Sequence, residues 1–311
     1  MTDSRQVKTV RRATLAALFA LLPLTGCGTT ADASRTASAT VTTTPAERGF
    51  QDLEGEYGAR LGVWALDTGT GRTVTWRAGE RFAYASTYKA LAAGELLRRD
   101  PGGLDDVVTY TKADLVTYSP ITEKHVDTGM TVRALCGAAI RYSDNTAGNL
   151  LLRRLGGPKG LQAALRRIGD HTTHADRYET ELNDAVPGDV RDTSTPRTLG
   201  TDLRRYAIGD ILPKRGRGLL DDWLRRNTTG DTLIRAGVPA GWTVGDKSGA
   251  AEYGTRNDVA VVWPPHRAPI VLAILSTRTT QDAAYDDALV AAAARVTVGA
   301  LGGQSLLRGG A

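Results

Sequence analysis

Strand-forming segments lie at both ends of the globular part of this 311-residue chain, and a long helical region separates them. Arg60–Asp67 and residues 72–77 flank a Thr-Gly-Thr-Gly turn, which predicts a hairpin. Residues 86–226 show the apolar spacings of three and four that are typical of helices, and three further strand-like segments precede an Ala-rich C-terminal helix. Because strands must pair to be stable, this order predicts an α+β fold: an antiparallel sheet with flanking helices, plus an all-helical lobe.

The amino terminus carries much of the positive charge of the chain. The sequence has 39 Lys+Arg against 34 Asp+Glu, a net charge of +5, and four of the cations lie in residues 1–26 with a single acidic residue. Residues 13–24 are almost entirely apolar; this run is too short for a membrane-spanning helix of about 20 residues, but it suits a signal-peptide core. We therefore predict that residues 1–26 are a signal peptide. Its removal leaves no basic stripe for nucleic acid.

The end of this segment predicts a lipid anchor. Leu24-Thr25-Gly26-Cys27 resembles a bacterial lipobox, in which the chain is cut before the cysteine and Cys27 then carries lipid. An ordinary secretory signal is the alternative, and Arg11-Arg12 keeps twin-arginine export open. We predict a protein that is exported and either anchored to the outer face of the cell membrane or secreted.

The remainder of the chain divides into a linker and a globular domain. The Thr/Ala/Ser-rich composition of residues 27–48 predicts a flexible tether. Residues 49–305 are predicted to form this globular domain, with an α/β lobe over 49–84 and 227–305 and a helical lobe over 85–226. A cleft between two such lobes is a usual place for an active site.

One Ser-x-x-Lys motif occurs in the chain, Ser86-Thr87-Tyr88-Lys89. Residues three apart share one face of a helix, so the lysine amine can approach the serine hydroxyl. A serine is a poor nucleophile at neutral pH until a base takes its proton, and a desolvated lysine can do so. Taken alone the motif is weak, because a pattern with two fixed positions recurs by chance.

Two further motifs follow in order along the chain. Ser143-Asp144-Asn145 lies between two predicted helices, and Lys247-Ser248-Gly249 ends a predicted strand. Together with the Ser-x-x-Lys motif they resemble the signature of class A β-lactamases and penicillin-binding proteins. The resemblance covers about residues 50–303 and implies a β-lactamase/transpeptidase-like fold, with a five-stranded antiparallel sheet and the active site in the cleft beside the helical lobe.

A fourth motif favours the class A enzymes over the penicillin-binding proteins. Glu179 and Asn183 match the Glu-x-x-x-Asn element of the class A loop, which penicillin-binding proteins lack. The ester formed when a β-lactam acylates a serine hydrolyses slowly unless a base activates water, and a carboxylate and an amide four residues apart can hold that water. The resemblance therefore implies a serine β-lactamase that hydrolyses penicillins and cephalosporins and confers antibiotic resistance.

The resemblance assigns the chemical steps to a few side chains. It implies that Ser86 is the nucleophile and Ser143 the proton donor to the leaving nitrogen, while Glu179 activates the hydrolytic water. The acylation base is either Lys89 or Glu179. The backbone N–H groups of Ser86 and Ala250 are the implied oxyanion hole.

The remaining implied residues bind substrate or support the loop. Asn149 is implied to fix the backbone of Glu179, and Arg177 and Asp192 to form an ion pair across the ends of the loop. The implied substrate-binding residues are Tyr118, Asn145, Asn183, Lys247, Ser248, Gly249 and Arg256.

Some positions depart from the pattern of many relatives. Glu179 is followed by Thr180 where many relatives have a proline after a cis peptide bond, so the sequence leaves the geometry of this bond open. Ala85 and Ala251 replace the cysteine pair of carbapenem-hydrolysing relatives, which makes strong carbapenem hydrolysis a weaker expectation. Ala93 stands opposite Cys136 where other relatives have a second kind of disulfide, so Cys136 is expected to be a free, buried thiol with a structural role.

Two rival functions share most of these residues. A D,D-peptidase of cell-wall synthesis would use the same serines and lysines, and a lipid-anchored sensor would bind β-lactams without turning them over. None of the three readings requires a cofactor. The four histidines lack the spacing of metal ligands, so we predict no metal site, and we expect a monomer whose partners are β-lactams and, through Cys27, the membrane.

Overall fold

The computed structural model describes residues 43–302. The predicted signal peptide, Cys27 and most of the tether lie outside the described residues. The helices of the described part are α1 (Pro45–Tyr57), α2 (Tyr88–Arg99), α3 (Val132–Arg141), α4 (Asn145–Leu155), α5 (Gly157–Arg167), α6 (Pro196–Ala207), α7 (Lys214–Arg225), α8 (Ile234–Gly237) and α9 (Asp287–Gly302). Its strands are β1 (Arg60–Asp67), β2 (Thr73–Trp76), β3 (Phe82–Ala83), β4 (Val107–Val108), β5 (Met130–Thr131), β6 (Thr193–Ser194), β7 (Thr243–Ala251), β8 (Thr255–Trp263) and β9 (Ile270–Thr277).

Five strands form one antiparallel sheet in the spatial order β2-β1-β9-β8-β7. β1 and β2 are the predicted hairpin, with Val63 opposite Trp76 and Leu66 opposite Thr73. β9 pairs with β1 along its whole length and so joins the N-terminal hairpin to the C-terminal strands. The predicted α+β fold is confirmed, and β7 lies at an edge of the sheet.

The sheet is covered on both faces. On one face Leu272 of β9 belongs to an apolar cluster with Phe50 of α1 and Val290 of α9. On the other face Ala273 belongs to a cluster that continues through α2 and α6 into the helical lobe. Because both faces are buried, the sequence of β9 is an almost continuous apolar run and does not alternate between apolar and polar residues.

The first helix begins inside the segment predicted as a tether. α1 starts at Pro45, so residues 45–48 are helical and the tether of 27–48 overlaps the helix. Thr44 Oγ1 accepts a hydrogen bond from Glu47 N at 3.2 Å, and Glu47 Oε2 accepts one from Thr44 N at 2.7 Å. This capping box, with proline at the first helical position, is a start signal that the sequence displays and that our compositional reading missed.

Short strand pairs attach the loops to the two lobes. β3 pairs with β6, which sets Ala83 opposite Thr193 and holds the end of the loop that carries Glu179 against the segment leading to Ser86. β4 pairs with β5 in the helical lobe. Among the helices of residues 43–302, none is long and apolar enough to cross a bilayer.

Candidate active site

Ser86 lies where the chain turns from β3 into α2. Residues 85–87 form a single 3-10 turn, and Ala85 has a φ of +47°, a left-handed conformation that costs a non-glycine residue roughly 1–2 kcal/mol. β7 passes so close that a Cβ added at Gly249 would lie 3.2 Å from Ser86 N. This close approach sets Ala250 beside Ser86, as an oxyanion hole made from their two N–H groups requires.

Lys89 is directed at Ser86 from the first turn of α2. Its side chain is fully buried, and this burial lowers the pKa of Lys89, although the negative charge of Glu179 opposes the effect. Nζ donates to three oxygens: Ser86 Oγ at 2.8 Å, the Ser143 carbonyl at 2.8 Å and Asn145 Oδ1 at 2.6 Å. The ammonium group is therefore held by Ser86 and by the Ser143-Asp144-Asn145 motif together.

Gly148 on α4 leaves the space that Lys89 fills. A Cβ at this position would lie 2.6 Å from Tyr88 Oη and 2.7 Å from Lys89 Cε, closer than real Cβ contacts. The sequence analysis did not single out Gly148. A signal was present, because glycine inside a helix costs about 1 kcal/mol relative to alanine and so calls for a packing reason.

Glu179 reaches the same centre from the loop. Its Oε1 lies 2.9 Å from Lys89 Nζ and accepts from Ser86 Oγ at 3.4 Å, while its Oε2 accepts from Asn183 Nδ2 at 2.6 Å. Asn149 holds the backbone of Glu179 at both polar atoms: Nδ2 donates to the carbonyl at 2.9 Å and Oδ1 accepts from the N–H at 2.8 Å. The peptide bond from Glu179 to Thr180 is cis, which answers the question that the sequence left open.

An ion pair joins the two ends of this loop. Arg177 Nε donates to Asp192 Oδ2 at 2.6 Å. Asp192 is completely buried, and its Oδ1 also accepts from the backbone N–H groups of Asp176 and Arg177 and from Tyr84 Oη. Because Tyr84 is two residues before Ser86, the same carboxylate connects the loop to the segment that carries Ser86.

Ser143 has a φ of +56°, and its carbonyl accepts from the same Lys89 Nζ that donates to Ser86 Oγ. The buried Asp144 carboxylate holds this turn, since it accepts from the N–H groups of Ile121, Thr122 and Ala147 at 2.8 to 3.0 Å. Ser143 Oγ accepts from Lys247 Nζ at 3.0 Å. This contact links the Ser143 hydroxyl to a second buried lysine.

Lys247 is enclosed in β7. Its side chain is completely buried, and this burial, together with the positive charge of Lys89, lowers the pKa of Lys247 to about 7. The neighbouring Asp246, which the sequence analysis missed, accepts from Arg235 Nε at 2.6 Å and from Asn227 Nδ2 at 2.5 Å. Asp246 therefore supplies negative charge beside Lys247 from a carboxylate that is itself hydrogen-bonded.

Ser248 and Arg256 lie farther along the cleft edge. Ser248 Oγ and Thr229 Oγ1 are 2.6 Å apart and share a hydrogen bond. Arg256 is opposite Ala250 in the β7–β8 ladder. Its Nε donates to Asp287 Oδ1 at 2.6 Å, and its guanidinium lies 4.8 Å from the ring centre of Tyr285.

Tyr118 and Asn145 lie beside each other on the helical side of the cleft. Tyr118 is 57% exposed, with a φ of +64°, and its carbonyl accepts from Asn145 N at 2.9 Å. The Asn145 amide is partly occupied: Oδ1 accepts from Lys89, and Nδ2 donates to the Thr117 carbonyl at 2.8 Å. One Nδ2 hydrogen remains for a substrate amide.

The free thiol lies away from this centre. Cys136 is buried in α3 and makes no disulfide, as expected, and burial raises its pKa to about 12. Within residues 43–302, His, Cys, Asp and Glu side chains do not gather in groups of three or more that could hold a metal ion.

Comparisons with known proteins agree with this geometry. Residues 45–300 match the β-lactamase enzyme family. A β-lactamase of Bacillus amyloliquefaciens is 62% identical over 80% of this chain and 82% of its own length, and one of Amycolatopsis lactamdurans is 61% identical over 82% of this chain and 85% of its own. The crystal structure of a class A β-lactamase from Clostridium kluyveri superposes with a TM-score of 0.81 at 51% identity, covering 82% of this chain and 98% of that one. Since the match spans both lobes and every residue of the cleft described above, the chain belongs to the class A β-lactamases.

Proposed function

We propose that this class A β-lactamase opens the β-lactam ring by transferring the acyl group to Ser86 and then hydrolyses the resulting ester with a water held by Glu179 and Asn183. One observation carries the proposal: Ser86, Lys89, Glu179 and Asn183 form a continuous chain of polar contacts of 2.6 to 3.4 Å in a buried site. In such a site each contact acts more strongly than it would in water.

Acylation begins at the Ser86 hydroxyl. Lys89 Nζ is the nearer base, at 2.8 Å against 3.4 Å for the Glu179 carboxylate. In the proposed route Glu179 first takes a proton from Lys89 across their 2.9 Å contact, and the neutral amine then accepts the Ser86 proton as Oγ bonds to the β-lactam carbonyl carbon. The N–H groups of Ser86 and Ala250 stabilise the oxyanion of the tetrahedral intermediate.

Collapse of that intermediate breaks the carbon–nitrogen bond of the ring. Ser143 Oγ gives its proton to the leaving nitrogen and is reprotonated by Lys247 across their 3.0 Å contact. This route uses a hydroxyl that is already oriented by a buried ammonium, so the nitrogen never leaves as an anion.

Deacylation is assigned to the loop. Before this step the proton that Glu179 accepted passes to solvent and Lys247 takes one from solvent, so Glu179 is again a carboxylate. Glu179 then takes a proton from water while the water oxygen bonds to the ester carbon, Ser86 Oγ leaves with a proton from Lys89, and Lys89 recovers its proton from Glu179. The Asn183 amide, 2.6 Å from Glu179 Oε2, fixes the carboxylate and supplies a second contact for the water. General-base assistance of this kind is worth about 10²–10⁴-fold in rate.

Penicillins and cephalosporins are the proposed substrates. Their carboxylate is attracted by Lys247, Ser248 and Arg256 along the β7 edge, and the free Nδ2 hydrogen of Asn145 meets their side-chain amide. The exposed ring of Tyr118 forms one wall of the cleft.

The replacement Glu179→Ala tests the assignment. The variant should acylate more slowly with benzylpenicillin, because Lys89 must then lose its proton to solvent, and it should lose deacylation. Mass spectrometry should therefore find the intact adduct, and steady-state turnover of nitrocefin should fall about 10²–10⁴-fold. The matched control is Glu181→Ala, which removes an exposed carboxylate of the same loop.

The same assays separate the rival functions. Unchanged turnover and no adduct in Glu179→Ala would refute the role of Glu179. Release of terminal D-alanine from a peptide by the unmodified protein would support a peptidase, and a stable adduct in the unmodified protein would support a sensor.

We also propose that the chain is exported, cleaved after Gly26 and anchored by a lipid on Cys27. The lipobox-like Leu24–Cys27 sequence supports this proposal, and the distance from Cys27 to the first helix at Pro45 provides a spacer. In a bacterial host, Cys27→Ser should move β-lactamase activity from the membrane fraction to the medium. An unchanged membrane fraction would contradict lipidation at Cys27.

A further inference from the structure

A second cavity lies behind the loop that carries Glu179. Its volume is about 590 Å³, within the range of small-molecule sites. The walls come from the start of β1, the segment around β3 and the end of β9, and residues 185–191 of the loop close one side. The catalytic serines, lysines and glutamate are not among its lining residues, so this is a separate space.

Two of the arginines that line the cavity have carboxylate partners. Arg60 donates to Glu80 from Nε at 3.2 Å and from NH2 at 2.7 Å. Arg191 makes a bidentate contact with Asp189, which is two residues before it. These four side chains contribute no net charge to the cavity.

Two further arginines have no acidic partner in the described part of the chain. Arg81 donates to the Thr172 carbonyl at 2.8 Å and to Thr193 Oγ1 at 3.1 Å. Arg278 donates to the Tyr57 carbonyl at 3.0 Å. Neither guanidinium forms a salt bridge with a carboxylate of residues 43–302, so the cavity wall carries two uncompensated positive charges.

The remaining wall is apolar and weakly attached. Phe82 and Pro187 line the cavity together with Val186 and Val190, which are 45% and 49% exposed. Among the described residues, the hydrogen bonds of residues 186–191 run only within 186–193. A molecule in the cavity would bury both valines and bridge the loop to the edge of the sheet.

We propose that this cavity binds a small amphiphilic anion, an apolar ring system that carries one sulfonate or carboxylate group. Arg81 and Arg278 attract the anionic group, because their charges are otherwise unmatched. Phe82, Val186 and Val190 receive the apolar body. Both parts are needed. The apolar wall alone would not distinguish an anion from its neutral analogue, and the two arginines alone would bind the anionic group only weakly, because partly exposed charges are screened by water.

A matched pair of fluorescent probes tests the proposal. 8-Anilinonaphthalene-1-sulfonate carries the charge, and N-phenyl-1-naphthylamine is the same ring system without it. Titration of the intact protein should give one saturable sulfonate site. Arg81→Gln and Arg278→Gln should each weaken it about threefold to tenfold, the size expected for a partly exposed charge contact, and should leave binding of the neutral probe unchanged.

Two controls locate the site. Arg133→Gln removes an arginine that pairs with Asp105 on the surface of the helical lobe, and it should not change the affinity. In the Glu179→Ala variant, acylation of Ser86 fills the catalytic cleft. Sulfonate binding should be the same before and after this acylation, because the proposed site is a separate cavity. Hydrogen exchange at residues 185–191 should slow when the sulfonate binds.

Several results would overturn the proposal. They are loss of sulfonate binding on acylation, equal affinity of both arginine variants and the unmodified protein, or a non-saturating titration typical of surface adsorption. If an arginine variant fails to fold, Val190→Ser replaces it. This half-exposed side chain can be changed without disturbing the core, and the substitution should weaken both probes.

Discussion

Lys247 should set the alkaline limit of this enzyme. Burial and the neighbouring Lys89 lower the pKa of Lys247 to about 7, so the free enzyme loses this positive charge just above neutral pH. The proposed substrates are anions that Lys247 attracts, and kcat/KM reports the ionisation of the free enzyme. We expect kcat/KM to fall as pH rises through 7, and Lys247→Arg to remove that fall, because arginine stays charged to above pH 12.

The magnitude follows from the pKa. At two units above its pKa a lysine is about 1% protonated, so kcat/KM at pH 9 should be about a hundredfold below its value under acidic conditions. In the Michaelis complex the substrate carboxylate raises the pKa of Lys247. The alkaline decrease in kcat should therefore begin at a higher pH than the decrease in kcat/KM. The split between the two profiles assigns the group to substrate binding.

The assay is steady-state hydrolysis of benzylpenicillin from pH 5.5 to 10 in buffers of constant ionic strength. Lys159→Arg is the control, since Lys159 is an exposed lysine paired with Asp176 and should keep the profile of the unmodified protein. A flat profile in the unmodified protein would refute the reasoning. So would an unchanged alkaline limb in Lys247→Arg, which would place the titrating group elsewhere, with Lys89 the first candidate.

Two further predictions concern residues that support the site. Gly148→Ala should lower kcat at least tenfold with a smaller change in KM, because the new Cβ would lie 2.7 Å from Lys89 Cε and displace the amine; Gly218→Ala, with open space around it, is the control. Asp202→Asn should remove a pH dependence of stability. Burial and the neighbouring Asp170 raise the pKa of Asp202 to about 8 in the folded state. The folded protein therefore keeps a proton on this carboxyl that the unfolded chain loses near pH 4. The free energy of unfolding should therefore fall by about 1.4 kcal/mol per unit between about pH 4 and 8 in the unmodified protein relative to the variant, and urea unfolding at pH 5 and 8 measures this difference.

Local patterns carried much of the prediction. The hairpin of β1 and β2 could be predicted from the alternation on either side of one turn. The Ser86–Lys89 and Glu179–Asn183 contacts join residues that are only three and four positions apart. Contacts of this kind need only a few neighbouring residues to adopt a known conformation. The start of α1 is also encoded locally, since its capping box is formed by residues within four consecutive positions. The Thr/Ala/Ser-rich composition of the surrounding segment led us to predict a tether there instead.

Long-range packing decided what the patterns could not. Asp287 meets Arg256 only because α9 packs beside β8, and the sequence distance between them carries no sign of it. The pKa of Lys247 depends on burial from all sides, and that burial is produced by elements from across the chain. Desolvation is a property of the assembled interior, so no motif reports it.

By itself, the sequence of this protein determined the fold class and singled out Ser86, Lys89 and Glu179, which the structure brings into contact. Those features are encoded in short segments and in their order along the chain. The tertiary structure alone decided the space that Gly148 leaves for Lys89 and the cavity behind the loop with the unmatched charges of Arg81 and Arg278. The physical reason is the same for both: empty volume and uncompensated charge arise where distant segments meet, and they are defined by what surrounds a residue in space.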